Sequence, residues 1–504
     1  PRAERVGTPR TTTVRSTPRI KRIKAHMLRT SFVGTLVRYG GGQVRGGAVF
    51  FRGSSGAAAR AYLATDRTAT ADDYYLEKGE LTASRFVFDG AGKMVESGTL
   101  NAQAYQGWVE WVDPSTGEVR GSRRENSVLF LDKVINVDKT LSVAAVLDLR
   151  IAQQLDAALE QMAHELMAYA ASEMHTRVGP RGGQVWVPVE KLEAVTVAHR
   201  TSREGDPHRH LHLQFLNRVW AAGAWRALDT AEFVKHNAAM NRLGEAVLAS
   251  HAGLQGALAQ AGFSFDAQTG AVAELAEAAE ALSKRAGQIA ERRAELVAQW
   301  EAKHPGQTPG EKVLEGLDHL AWAQTRREKV PGELPDEDKW RAEIAATGFV
   351  MPSGPRERAV VSWSQVDKSA LIRAAVEQLE TSRSAWSVAD VSAAVSAEFS
   401  RTGVTDYPRP VGELVREATE ALVAGRCTSI APDVDPWTAP HHLKVLTTDQ
   451  VIDAERTVQG LLVTKALEPV VDTVTVAGQV HELGAHQDMD QALLERIFAV
   501  STSV

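Results

Sequence analysis

Residues 199–212 read His-Arg-Thr-Ser-Arg-Glu-Gly-Asp-Pro-His-Arg-His-Leu-His. Side chains on a β-strand alternate between the two faces of a sheet, so His210 and His212 share one face. An Asp-Pro pair between the histidines predicts a turn, across which His199 joins them from the neighbouring strand. Three converging imidazoles are typical of a divalent-metal site with positions open to a substrate. His208 has the same parity as His210, so it competes with His199 as the third ligand.

The segments around this stretch predict an α+β chain. Upstream, a three-or-four spacing of apolar residues predicts an amphipathic helix that ends near Met174; its apolar positions are Leu147, Ile151, Leu155, Leu159, Met162 and Leu166. A strand pair is expected at 184–189 and 194–199, followed by a third run at 210–219. Residues 230–299 are predominantly helical in pattern, and strands that alternate with long helices favour a mixed fold.

Composition excludes several classes of protein. The chain has 504 residues, of which 57 are basic and 63 acidic, and 44% are hydrophobic. These values are normal for a chain that buries a core, and they exclude collagen-like and wholly disordered proteins. The single cysteine, Cys427, excludes an intrachain disulfide and a zinc site built on cysteines, which favours a cytoplasmic protein. No stretch approaches the roughly 18 apolar residues of a membrane helix.

Charge and proline content divide the chain. The first 24 residues contain eight basic residues and one acidic residue, so residues 1–44 are expected to be a basic, disordered arm. Residues 45–330 carry the strands, the long helix and the histidines. Residues 331–358, with four prolines and many charges, predict a linker. Residues 359–504 are expected to be mostly helical.

A second chemical feature lies in residues 71–75, Ala-Asp-Asp-Tyr-Tyr. Three of the chain's seven tyrosines, Tyr62, Tyr74 and Tyr75, fall within this short region. A phenol with a pKa near 10 is a poor nucleophile until its target is polarised and its proton is removed. If the region packs over the histidines, attack by a tyrosine on phosphorus is feasible; otherwise a tyrosine pair is more often part of a core.

Together these motifs resemble a known family. The pattern His199-x-Thr-Ser-Arg-x-x-Asp-Pro-x-x-His210-x-His212 is similar to the three-histidine HUH signature of the TrwC/TraI-type (MobF) conjugative relaxases. Asn217 and the run 225–228 (Trp-Arg-Ala-Leu) follow it as they do in that family. Residues 132–142 resemble the family motif that opens a long helix, and residues 71–75 resemble its nucleophile segment.

The resemblance implies a fold and a metal site. It implies an HUH-type relaxase domain over residues 45–330, with a central antiparallel sheet flanked by helices, followed by a helical region that resembles the segment before a helicase motor. A Mg²⁺ or Mn²⁺ ion would be held by His199, His210 and His212, which leaves His208 outside the ligand set. Asp132 would orient a ligating histidine or help to deprotonate the tyrosine. Arg203 and Lys139 would contact phosphate or form structural ion pairs.

The resemblance also implies a reaction. Tyr74 would attack a phosphodiester of single-stranded transfer-origin DNA to form a 5′-phosphotyrosyl link, and Tyr62 or Tyr75 could serve a second transesterification. These tyrosines precede His199, which is the order found in relaxases; in related replication initiators the tyrosine follows the histidines. The implied partners are the origin DNA, relaxosome accessory proteins and a type IV secretion coupling protein, and the protein could enter the recipient cell attached to DNA.

Other functions stay open at this stage. A domain that binds origin DNA without cleaving it, and a metal-dependent phosphodiesterase in which water attacks, would both use the same histidines. No Gly-x-x-x-x-Gly-Lys-Ser/Thr string is present in the chain, so we expect no ATPase activity in it.

Overall fold

An eight-stranded antiparallel sheet forms the centre of the fold in a computed structural model, which describes residues 47–53, 56–57, 59–60, 82–180, 183–202, 204–325, 336–439 and 443–467. Its main strand order is β1-β4-β8-β7-β2-β3, and β9 pairs with both β7 and β10. The remaining described strands form four two-stranded sheets, β5-β6, β11-β12, β13-β14 and β15-β16. The described strands are β1 (Ala48–Arg52), β2 (Thr82–Asp89), β3 (Met94–Asn101), β4 (Val128–Asn136), β5 (His175–Val178), β6 (Val185–Pro188), β7 (Lys191–Thr201), β8 (Pro207–Leu216), β9 (Val219–Ala221), β10 (Ala224–Arg226), β11 (Phe265–Asp266), β12 (Ala271–Val272), β13 (Val361–Ser362), β14 (Val404–Asp406), β15 (Thr428–Ser429) and β16 (Leu446–Thr447).

Helices cover the sheet and continue into the C-terminal part of the chain. The described α-helices are α1 (Ala102–Val109), α2 (Lys139–Leu147), α3 (Leu149–Glu173), α4 (Thr230–Lys235), α5 (Asn237–Ser250), α6 (Ala252–Gln260), α7 (Ala276–Ala281), α8 (Lys284–Lys303), α9 (Glu311–Gln324), α10 (Glu337–Ala346), α11 (Lys368–Ser382), α12 (Val388–Ser400), α13 (Val411–Arg426) and α14 (Asp449–Leu467). Over the residues that the structure describes, the predicted α+β class, the central antiparallel sheet flanked by helices and the mostly helical C-terminal region are confirmed.

The two faces of the sheet pack against different elements. On one face, α2, α3 and α5 contribute to a large core that includes Leu192 and Ala194 of β7. On the other face, α1 packs over a smaller core that includes Val195 and Val197 of the same strand. Alternation along one strand therefore serves two separate cores.

Helix α3 shows why the periodicity was informative. Its N-cap is Asp148, whose Oδ1 accepts a hydrogen bond from the Arg150 backbone N–H at 2.7 Å. The apolar positions predicted from the sequence, from Ile151 to Leu166, are buried along one side of the helix. The helix ends at Glu173, one residue before the predicted end.

Three local expectations differ from the structure. Strands form at both predicted places, as β6 and β7, but β6 pairs with β5 and not with β7; an apolar pattern reports a buried face but not the partner strand. Residues 102–109 form helix α1, although the glycines, short apolar runs and turn signals of residues 30–130 predict strands and loops there. Residues 337–346 lie within the predicted linker, yet they form α10 and bury Trp340 and Ile344.

The C-terminal helices share the large core. Val391 and Val395 of α12 belong to it together with Leu243 and Val247 of α5. The domain boundaries given above stay a prediction. Among the described residues, no helix is both long enough and apolar enough to cross a membrane.

Candidate metal centre

Strands β7 and β8 bring three histidines together. Their antiparallel register places His199 opposite His210 and Val197 opposite His212. One ligand atom from each of His199, His210 and His212 lies within 4.8 Å of the other two. His199 and His212 are buried, whereas His210 is half-buried. Because Val197 belongs to the smaller core, the histidines lie on the sheet face that α1 covers.

Hydrogen bonds to the ring nitrogens define which atoms can bind a metal. The Nδ1 atom of His212 lies 2.9 Å from Oδ2 and 3.0 Å from Oδ1 of Asp132, and Nδ1 of His210 lies 2.9 Å from the His208 carbonyl oxygen. Both acceptors are oxygen atoms, so in neutral imidazoles the protons reside on Nδ1. Nε2 of each ring then carries the lone pair needed by a metal ligand. The donor set fits a divalent ion that accepts imidazole nitrogen.

Asp132 reaches this centre from the neighbouring strand. It lies on β4 and is paired in register with Gln214 of β8, two residues from His212. Its carboxylate is buried, with 7% of the residue exposed. A carboxylate that accepts from the far nitrogen of an imidazole fixes the ring orientation and increases its basicity.

The fourth histidine of the stretch has a different environment. Nε2 of His208 lies 3.1 Å from Oδ1 of Asn136, and its ring stacks on His210 with centroids 4.6 Å apart. Burial, reinforced by the charges of Lys139 and His212, lowers the pKa of His208 to about 4. Among the described residues, the metal-competent cluster contains His199 and not His208.

The remaining predicted residues divide into two groups. Tyr62, Tyr74, Tyr75 and Arg203 lie outside the described residues. Lys139 begins α2, immediately after the cap residue Asp138. Burial lowers the pKa of Lys139 to about 8; the Asp206 charge opposes this shift and Lys284 reinforces it.

Two polar residues beneath the centre belong to none of the motifs predicted from the sequence. The buried Tyr105 hydroxyl of α1 donates to Oε1 of Gln214 at 2.7 Å. Burial and the nearby Asp132 charge raise the pKa of Tyr105. Its phenol is therefore held protonated and away from solvent. The alternation of β8 could have indicated Gln214, which continues the face of His210 and His212, but no local signal indicates Tyr105.

Comparison with known proteins places these features in a family. The family model described as TrwC relaxase matches residues 56–347. Among solved structures, the chain is similar to conjugative relaxase TrwC in complex with OriT DNA without metal, at 20% identity over 61% of this chain and 100% of that chain, with a TM-score of 0.42. A metal-bound TrwC complex with OriT DNA gives 19% identity, 61% and 99% coverage and a TM-score of 0.44.

A third solved structure, TrwC with a 27-mer DNA comprising the recognition hairpin and the cleavage site, gives 19% identity, 61% and 99% coverage and a TM-score of 0.43. A search of curated proteins found no match. The family match covers more than half of the chain and includes every histidine of the metal-competent cluster. The protein belongs to the TrwC relaxase family.

Proposed function

We propose that this protein is a metal-dependent relaxase that nicks one DNA strand at the transfer origin of a plasmid or integrative element. The observation that carries the proposal is the cluster of His199, His210 and His212, backed by Asp132, in a chain of the TrwC relaxase family. The proposed reaction is a transesterification with a covalent protein–DNA intermediate.

The residues have defined roles in this proposal. His199, His210 and His212 hold a Mg²⁺ or Mn²⁺ ion, and Asp132 fixes the ring of His212. When bound, such an ion neutralises negative charge on the phosphate oxygens in the transition state. The Tyr74 phenolic oxygen forms a bond to phosphorus, the bond from phosphorus to the 3′-oxygen breaks, and the tyrosine proton ends on the released 3′-hydroxyl. Tyr62 or Tyr75 serves a second transesterification.

Chain connectivity supports the involvement of the tyrosines. Tyr74 precedes Thr82 by eight residues, which span at most about 28 Å. Thr82 begins β2, which runs beside β7 with Ser84 opposite Thr196, three residues before His199. At the other end of the segment, the buried Ala59 packs into the smaller core on the face that carries the histidines.

The proposal also includes the partners and the location of the protein. We propose single-stranded origin DNA as the substrate, relaxosome accessory proteins and a type IV secretion coupling protein as partners, and the cytoplasm as the compartment. Residues 45–330 would form the relaxase domain, and residues 359–504 a helical region that follows it. Arg203 and Lys139 are proposed to contact phosphate or to form ion pairs.

Denaturing electrophoresis tests the proposal directly. The full chain is incubated with Mn²⁺ and labelled single-stranded DNA from the origin of its own element, alongside Tyr62→Phe, Tyr74→Phe and Tyr75→Phe. We expect a covalent adduct that Tyr74→Phe abolishes. Adduct loss in a different phenylalanine variant would reassign the nucleophile, and cleavage without any adduct would favour a phosphodiesterase in which water attacks. Binding of metal and DNA without cleavage would favour a non-cleaving module.

Histidine variants test the metal site in the same assay. His210→Ala should abolish the adduct and leave weaker DNA binding, because it removes one of three ligands. His208→Ala is the matched control, since this histidine lies two residues away but outside the cluster, and it should retain the adduct. Loss of the adduct in His208→Ala with retention in His199→Ala would show that His208 is the third ligand.

A further inference from the structure

The turn between β7 and β8 is held by residues far along the chain. Oδ2 of the buried Asp206 accepts a hydrogen bond from the Lys284 backbone N–H at 3.0 Å, and its Oδ1 lies 3.3 Å from Lys284 Nζ. The Trp340 indole N–H donates to the Gly205 carbonyl oxygen at 2.9 Å. Glu343 in turn binds Lys284 Nζ at 2.8 Å. We refer to Asp206, Lys284 and Trp340 as the turn clamp.

The strand pairing next to this turn is irregular. His199 pairs with His210, whereas Thr201 pairs with Pro207, so three steps along β8 oppose two steps along β7. This is the geometry of a β-bulge, which inserts one extra residue into one strand. A shift of one residue moves every following side chain to the opposite face of a sheet. Without the bulge, the pairing set at the turn would separate His210 from His199.

Contacts outside the ladder stabilise the bulge. The backbone N–H of Arg209, inside the bulge, donates to Oγ of the buried Ser142 on α2 at 2.9 Å. The Arg209 side chain forms an ion pair with Asp156 of α3. Helix contacts thus hold Arg209 within the bulge. The turn is closed by its own hydrogen bonds, such as that from the Ser202 backbone N–H to the Asp206 carbonyl oxygen at 2.8 Å, and is anchored to the rest of the fold by the turn clamp.

We propose that the turn clamp specifies the bulged register of the β7–β8 hairpin and thereby positions His199 against His210 for metal binding. This inference rests on the metal site of the proposed function. Asp206, Lys284 and Trp340 are positioning residues, because they act through the hairpin and are not members of the ligand cluster. Metal affinity therefore depends on α8 and α10, which begin more than 70 residues after the last histidine of the cluster.

Mn²⁺ binding to the full chain tests this inference. Trp340→Phe keeps an aromatic ring and removes the hydrogen bond to the turn, and Asp206→Ala removes the contacts to Lys284. Both should weaken Mn²⁺ binding and raise its dissociation constant about tenfold, which is at the lower end of the range known for residues that support metal ligands. Asp206→Asn should fall between wild type and Asp206→Ala, because an amide oxygen can still accept from the Lys284 backbone N–H.

Trp386→Phe is the matched control. Like Trp340, Trp386 is a buried core residue. Its indole N–H donates to the Leu379 carbonyl oxygen at 3.2 Å, in the C-terminal helical region. It should lower thermal stability and leave the Mn²⁺ dissociation constant within about twofold of wild type. If both Trp340→Phe and Asp206→Ala bind Mn²⁺ with wild-type affinity, the proposed role of the turn clamp is overturned and the proposed metal site is left intact. Failure of the wild-type chain to bind Mn²⁺ would overturn the proposed metal site and this inference with it.

Discussion

Replacing Lys133 by Met should change how the stability of the protein depends on pH. Lys133 follows Asp132 on β4 but points to the opposite, helix-covered face, where it is fully buried. Its Nζ donates to Oδ1 of Asn237 at 2.8 Å and to Oδ1 of Asn241 at 2.7 Å. Because burial disfavours the charged form, the pKa of Lys133 is lowered to about 7.

The sign of the effect follows from proton linkage. In the unfolded chain a lysine has a pKa near 10.4. Between about pH 7 and pH 10 the unfolded state therefore binds a proton that the folded state does not, so the free energy of unfolding rises with pH. The free energy of unfolding rises by at most about 1.4 kcal/mol per pH unit, and by half of that at the folded pKa of Lys133. The contribution of Lys133 between pH 7 and pH 9 is therefore about 2 kcal/mol.

Urea unfolding followed by tryptophan fluorescence measures this difference. The free energy of unfolding of wild type should rise by about 2 kcal/mol more than that of Lys133→Met between pH 7 and pH 9, because other groups titrate equally in both. Lys312→Met, at an exposed position on α9, serves as the control and should follow wild type. Parallel pH dependence of wild type and Lys133→Met would refute the lowered pKa of Lys133 in the folded chain.

Two further changes test the site face of the sheet. Asp132→Asn should raise the Mn²⁺ dissociation constant by about 10- to 100-fold without unfolding the chain, because it weakens the hydrogen-bond acceptor for His212. Calorimetric titration would measure this change, and an unchanged affinity would contradict the proposed role of Asp132. Glu193→Gln should lower the free energy of unfolding, measured in urea, by about 3 kcal/mol. The buried Glu193 carboxylate accepts a hydrogen bond from Arg85 Nε at 3.0 Å and forms an ion pair with the buried Arg120 at 2.8 Å. A loss below about 1 kcal/mol would show that water or other groups compensate.

The part of the site that depends on local pattern could be predicted from the sequence. The alternation of His210 and His212 gave their common face, and the Asp-Pro turn gave the approach of His199 from the adjacent strand. The regular apolar spacing from Ile151 to Leu166 predicted helix α3 and its C-terminal end to within one residue, whereas Leu147, the first position of that spacing, lies at the end of α2. In each case the signal and the structure both lie within one element or one hairpin.

Contacts between distant parts of the chain could not be predicted. The pairing of β6 with β5, the hydrogen bond from Tyr105 to Gln214 and the clamp of Trp340 on Gly205 each join elements by tertiary packing. Hydrophobic periodicity reports that a side is buried, but it carries no information about which element buries it. The irregular register between His199 and Thr201 is likewise invisible, because a bulge leaves the strand composition unchanged.

Strand β4 links the candidate metal centre to the core behind the sheet. Asp132 faces His212 on one side of the sheet, and Lys133 faces Asn237 and Asn241 on the other. A slip of one residue would place an ammonium group beside the imidazoles of the histidine cluster and a carboxylate against two amide oxygens. Both outcomes bury a charge against an unsuitable partner, which is costly. The same register is therefore selected by the chemistry of the site and by the packing of the opposite face, so substitutions behind the sheet should affect metal binding without any contact to the metal.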